Sequence, residues 1–114
     1  MNQKRPLDLA LEYMEIVYGE RQLEDLYHLL TPDCSFHGPL FQFDTAEGYI
    51  KSMLDAPPED FEYKLRHSFE DANVACLVYD FFKPGIRAPM VQIFETRDGR
   101  ISKITLIFDT APFN

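Results

Sequence analysis

Apolar residues near the start of the chain recur with helical spacing. From Pro6 to Tyr18, Leu7, Ala10, Leu11, Met14, Val17 and Tyr18 form one stripe, and Leu9, Tyr13 and Ile16 form a second. Two stripes imply burial on two sides, as for a helix lying across a sheet with other helices beside it. Pro6 suits a first turn, where a missing N–H costs nothing, and Gly19 is a natural stop. A second, short helix is predicted from about Gln22 to Leu30, with Leu23, Leu26, Tyr27 and Leu30 on one face and Thr31-Pro32 ending it. A third opens at Asp44 or Thr45. Asp44 and Glu47 there have capping-box spacing with Asp44 as the cap, and Pro57-Pro58 stop the helix. Its apolar face is Ala46, Tyr49, Ile50, Met53 and Leu54.

The period then changes from helical to alternating. Phe61, Tyr63, Leu65, His67 and Phe69 alternate with Glu62, Lys64, Arg66 and Ser68, the pattern of a strand with one wet face. Asn73 to Lys83 reads as a strand apolar on both faces, and Pro84-Gly85 as a turn. Ala88 to Thr96 and Arg100 to Thr110 are two further strands joined at Asp98-Gly99, a strong hairpin signal. A short strand at Cys34 to His37 completes the set. Helices followed by a run of antiparallel strands is an α+β pattern. On the last strand Ser102, Ile104, Leu106 and Phe108 share one face. Ile101, Lys103, Thr105, Ile107 and Asp109 share the other, a mixture suited to a protein–protein interface. A homodimer through the outer sheet face is the expectation; a solvated face with stray apolar residues is the alternative.

The chain has 114 residues, enough for one domain spanning 1–114 with a modest core. Its 11 basic and 19 acidic residues give a net charge of −8 without a basic cluster. Nucleic acid and anionic membrane surfaces are therefore poor partners. Cys34 and Cys76 lack CxxC spacing and read as free thiols. Charged residues interrupt the apolar positions of the N-terminal segment, so it does not read as a signal peptide, and no apolar run reaches spanning length. A cytoplasmic location is expected.

Three local segments carry a family resemblance. LEDLYHLLTPDCSFHGP resembles an opening in which a second helix leads into a strand ending near Pro; DTAEGYIKSML resembles a third helix; IFETRDGRISKITLIFD resembles a closing hairpin with an Asp-Gly turn. Together, over nearly the whole chain, they resemble the nuclear-transport-factor-2-like (SnoaL-like) superfamily, whose members include cyclases, ketosteroid isomerase and scytalone dehydratase. The resemblance implies a cystatin-like, cone-shaped half-barrel, with N-terminal helices packed in the concave face of a curved, mostly antiparallel sheet. Because this scaffold hosts unrelated chemistries, it implies no single activity. The isomerase's carboxylate base would fall at Gly38, before Pro39, and its buried acid at Val91, after Ala88-Pro89. Its oxyanion-donor Tyr would fall at Tyr13 or, with a one-residue slip, at Met14. Ketosteroid isomerisation by that mechanism is rejected. The Asp-Arg-Asp set of limonene epoxide hydrolases is not visible. The two histidines of scytalone dehydratase have counterparts in His37 and His67, but the neighbouring residues do not match.

Placed in a cone, alternation turns Val91, Ile93 and Glu95 inward, with Ile104, Leu106 and Phe108 beside them and Leu77, Tyr79 and Phe81 next. With Phe36 and Tyr63 these side chains either line a small-molecule pocket or fill the cone. His67 on its apolar strand face is a general base or a core histidine. His37 is a second candidate if a bulge before Gly38-Pro39 turns it inward. Asp80 interrupts an apolar strand and is either a perturbed pocket carboxylate or an interface residue paired with Arg or Lys; a bulge would exchange Tyr79 and Asp80. Tyr13 is the hydrogen-bond donor from the helical side. No histidine or cysteine spacing suits a metal, and there is no phosphate loop, so no cofactor is expected. Two functions follow: a pocket, binding or converting a small hydrophobic molecule as a cofactor-free isomerase, dehydratase, cyclase or hydrolase, or a non-catalytic dimeric module for ligands or protein partners.

Overall fold

The computed structural model describes residues 4–19 and 21–113. Helix α1 spans Pro6–Tyr18. It is tied to the sheet at its start, where the Glu70 carboxylate accepts from the Leu7 N–H at 3.0 Å and from the Arg5 guanidinium. It stops where the Gly19 N–H donates to the Glu15 carbonyl at 2.9 Å. A Cβ on Gly19 would lie 2.2 Å from that same carbonyl oxygen, so the close approach itself demands glycine.

The second predicted helix is shorter than the pattern suggested. A 3₁₀ turn at Leu23–Asp25 leads into a single turn, α2 (Leu26–Leu29), and Leu30 already belongs to strand β1 (Leu30–His37). Thr31 and Pro32 therefore lie within β1. Pro32, with no N–H to donate, sits where the pairing of β1 with its neighbour is irregular, between Leu30 and Ser35. A two-residue strand β2 (Gln42–Phe43) precedes α3 (Ala46–Asp55). The cap of α3 is Thr45 and not Asp44: the Thr45 hydroxyl accepts from the Gly48 N–H at 3.1 Å. Strands β3 (Glu62–Asp71), β4 (Val74–Lys83), β5 (Ile86–Arg97) and β6 (Arg100–Phe108) follow. The Asp-Gly hairpin forms with both turn residues at positive φ, 54° at Asp98 and 79° at Gly99.

One six-stranded sheet results, in the order β2-β1-β6-β5-β4-β3. All pairings are antiparallel except β1 with β6, which is parallel. The helices pack on one face. Met14, Ile16, Leu26, Leu30, Ile50, Leu77, Phe94, Ile101 and Ile104 form the fully buried centre of the core. This is an α+β fold: three helices against a curved, mostly antiparallel sheet. Among the described residues no helix is long and apolar enough to cross a membrane.

Register settles which side chains face the helices. Tyr79 pairs with Met90 and Met90 with Phe108; Leu77 pairs with Gln92 and Gln92 with Leu106. The inward set on β5 is therefore Ala88, Met90, Gln92 and Phe94, all buried. Val91, Ile93 and Glu95 lie on the convex face, opposite to the alternation expected from sequence. The misreading has a physical source: Gln92 is polar yet only 2% exposed, because a partner on another strand satisfies its amide. On β3 the register shifts between Leu65 and His67, so Arg66 is an extra residue. Tyr63 and Leu65 face the helices, opposite Phe81 and Tyr79, whereas His67 and Phe69 face outward, opposite Val78 and Cys76. His67 is exposed, not on a core-facing position.

Candidate functional site

The space between helices and sheet is not filled. An inner chamber of about 360 Å³ is walled by Tyr13, Val17 and Tyr18 of α1, Tyr49, Ser52 and Met53 of α3, and Phe36, Tyr79, Gln92 and Leu106 of the sheet. It adjoins an outer chamber of about 420 Å³, lined among others by Phe81, Lys83, Met90, Phe108 and Phe113. Both chambers touch Tyr18, Phe36, Phe41, Phe61 and Leu106. The turn Gly38–Phe41, closed by the Gly38 N–H on the Phe41 carbonyl at 2.9 Å, forms the rim, and Phe41 stands 61% exposed there. A larger groove of about 630 Å³ runs along α1 and the start of β3, but it is open and bordered by Glu15, Glu62 and Lys64, and neither Tyr13, Tyr49 nor Tyr79 lines it.

The polar groups of the inner chamber form two hydrogen-bonded pairs. Tyr79 Oη donates to Gln92 Oε1 at 2.8 Å. The Tyr13 and Tyr49 hydroxyls bond to each other. The Tyr18 ring meets that of Tyr79 edge-on, with centroids 6.3 Å apart. Phe36 stacks on Tyr49 with ring centroids 4.5 Å apart, and Phe94 meets Tyr13 edge-on at 5.2 Å, fixing both rings. Burial drives every one of these phenols upward in pKa. Tyr13 is held well above the ordinary value by burial and then by Tyr49 beside it; Tyr18 is pushed up to about 12; Tyr49 and Tyr79 are also raised by burial. All four are neutral donors at physiological pH.

A proton count over the two pairs leaves a surplus. Tyr79 spends its proton on the amide oxygen of Gln92. Of the Tyr13 and Tyr49 hydroxyls, whichever donates to the other, one proton remains without a protein acceptor among the hydrogen bonds of the described residues. No carboxylate, imidazole or thiol lines either chamber.

Of the residues singled out from sequence, the structure brings Tyr13, Phe36, Tyr79 and Leu106 to the inner chamber and Phe108 to the outer one. Met14 is buried elsewhere in the core, so of the two it is Tyr13 that reaches the cavity. Tyr63 packs behind the wall against Tyr18 and Tyr79, and Leu77 is buried beneath it. Val91, Ile93, His67, His37 and Asp80 are on the convex side. His37 pairs with Thr105 in a regular stretch, with no bulge to turn it inward. Asp80, 5% exposed, accepts from Arg66 at 2.8 Å and faces Arg87 at 3.5 Å. The Arg66 hydrogen bond holds its pKa below the usual carboxylate range, the opposite of a perturbed pocket acid. Sequence reasoning missed Gln92, Tyr49, Tyr18 and Lys83 as site residues. The signal for Lys83 was present: it shares the parity of Tyr79 and Phe81. Among the described residues no three His, Cys, Asp or Glu side chains group closely enough to hold a metal.

The model of the SnoaL-like domain matches residues 10–104. No functionally curated protein matches the sequence. Similar solved structures include a nuclear-transport-factor-2-like protein of unknown function from Cytophaga hutchinsonii, with TM-score 0.78 and 24% identity, covering 99% of this chain and 98% of that one. An LEH-like epoxide hydrolase from M. tuberculosis has TM-score 0.73 and 16% identity, covering 95% of this chain and 85% of that one. A de novo designed protein with a curved β-sheet has TM-score 0.77 and 21% identity, covering 96% and 88%. A protein of unknown function, an enzyme and a designed scaffold at such identities share the fold and nothing more specific. The family match spans most of the chain, and the chain belongs to the SnoaL-like domain family.

Proposed function

We propose that this chain binds a small hydrophobic molecule bearing a hydrogen-bond-accepting oxygen, held in the cone without a cofactor. The observation that carries the reading is the surplus proton of the buried Tyr13–Tyr49 pair, at the wall of a mainly apolar chamber. A ligand oxygen at that point would accept it, and the hydrogen bond within the pair would strengthen the donor. The chamber walls supply donors but no proton-abstracting base. Binding is therefore the primary role. Any conversion of the ligand would be one that polarising its oxygen promotes, within the isomerase, dehydratase, cyclase and hydrolase chemistries of this scaffold. An open chamber disfavours the other reading, a packed cone serving only as a platform for protein partners.

The test uses N-phenyl-1-naphthylamine as fluorescent reporter, displaced by 2-acetylnaphthalene or by 2-ethylnaphthalene. The ketone should gain about three- to tenfold over the hydrocarbon of equal shape, and Tyr13→Phe combined with Tyr49→Phe should abolish the gain. Equal affinity of the two competitors for the native protein would sink the oxygen-acceptor reading.

We further propose that two copies pair through the convex face. Its central rows, Phe69-Cys76-Ile93-Thr105 and His67-Val78-Val91-Ile107, are mainly apolar. The Asp80 cluster with Arg66 and Arg87 borders one side, and Glu95 with Lys103 borders the other. An apolar centre with a rim of both signs suits a self-complementary two-fold contact. The cysteines are free thiols, consistent with a cytoplasmic setting.

A further inference from the structure

Lys83 is the charged side chain on the walls of the two chambers. It ends β4 on the face that carries Tyr79 and Phe81, so it belongs to the concave side of the sheet. Its Nζ sits over two rings, 5.9 Å from the centroid of Phe61 and 5.5 Å from that of Phe113. Asp80 is paired with Arg66 and Arg87, Glu70 with Arg5 and Glu95 with Lys103. Lys83 forms no ion pair among the described residues. An ammonium in an aromatic chamber is partly compensated by ring faces, and a carboxylate brought into the same chamber would pair with it under reduced screening.

Four residues separate Lys83 from Tyr79, about 13 Å along the strand. The cation lies on the outer chamber and the phenols on the inner one, and the two chambers share Tyr18, Phe36, Phe41, Phe61 and Leu106. We propose that the ligand is an elongated hydrophobic carboxylate, its charged end resting on Lys83 and its body running inward to present the accepting oxygen of that reading to Tyr13 and Tyr49. This rests on the cavity-binding reading above and adds the class of the ligand. The net charge of −8 gives no general attraction for anions, so selectivity for one must come from this single local cation.

Decanoate and decan-1-ol, each displacing N-phenyl-1-naphthylamine, test it. Lys83→Gln should weaken decanoate about tenfold and leave decanol and the reporter within about twofold, while Lys83→Arg should keep decanoate binding. In the native protein, which does not depend on a variant folding, raising the salt concentration should weaken decanoate and not decanol. Reporter binding with decanoate indifferent to both Lys83→Gln and salt would overturn the carboxylate assignment and leave the cavity reading intact. No reporter binding to the folded native protein, with neither competitor bound by calorimetry, would overturn both.

Discussion

Replacing Tyr79 by Phe deletes one oxygen and leaves the ring among Tyr18, Tyr63 and Leu77. The Oε1 of Gln92, a residue 2% exposed, then has no donor in place of the 2.8 Å hydrogen bond. A buried acceptor orphaned in this way costs about 1–3 kcal/mol. Gln92→Leu removes the acceptor instead and orphans the Tyr79 hydroxyl, at a cost in the same range. In the double variant neither partner is left unpaired with the other, and an apolar pair of similar shape replaces the polar one. Its cost should fall short of the sum of the single costs by at least ~1 kcal/mol. Urea unfolding followed by circular dichroism measures all four corners of the cycle. In thermal melts a coupling of that size corresponds to roughly 4 °C for a chain of this length. A double variant whose loss equals the sum of the singles within ~0.5 kcal/mol would refute the claim that Tyr79 and Gln92 act as one unit.

Asp80→Asn should lower stability at neutral pH. The Arg66 contact depresses the folded-state pKa of Asp80, so its stabilisation is present above the unfolded-state value and is lost as pH falls through the folded one. The native and variant unfolding curves should accordingly converge below about pH 4; a constant difference down to pH 2 would contradict the assignment. Absorbance at 295 nm should show Tyr13, Tyr18, Tyr49 and Tyr79 still protonated at pH values where free phenols ionise. Since their folded pKa values are raised, stability should decline from about pH 10 upward. Full reversible tyrosinate formation in the folded protein near pH 10 would contradict the burial of these phenols. Ile107→Lys, at a convex-face position 52% exposed, should leave the fold intact and shift sedimentation from dimer to monomer. A native protein that already sediments as a monomer would refute the pairing.

Period and punctuation made the architecture legible. The two-stripe helix at Pro6–Tyr18, the Asp98-Gly99 hairpin and the four long strands all stand where the pattern put them. The errors about the site share a cause: each turned on an interaction between distant segments. His67 was assigned to the wrong face because one extra residue, Arg66, reverses parity without altering the local alternation of apolar and polar residues. Gln92 was assigned outward because a glutamine between Val91 and Ile93 looks wet until Tyr79, thirteen positions away, supplies a donor. Tyr13 was picked out from its helix, but its partner Tyr49 lies 36 positions later, on a helix face whose stripe explained it as core. Local pattern reports burial well and reports side poorly, because burial is a property of a residue and side is a property of a register.

The extra residue on β3 bears on more than the placement of a histidine. The sheet has two free edges, β2 and β3. β2 is only two residues long and offers little backbone for another chain to pair with. β3 is ten residues long, with a row of backbone donors and acceptors on its open side. The bulge interrupts that row near its middle, and Lys64, Arg66 and Glu70 place charge along it. An incoming strand would meet a break in spacing and would have to strip water from ionised side chains. Arg66 thus guards the long edge against fibril-like strand addition, while the broad convex face stays free for ordered contact with another copy of the chain.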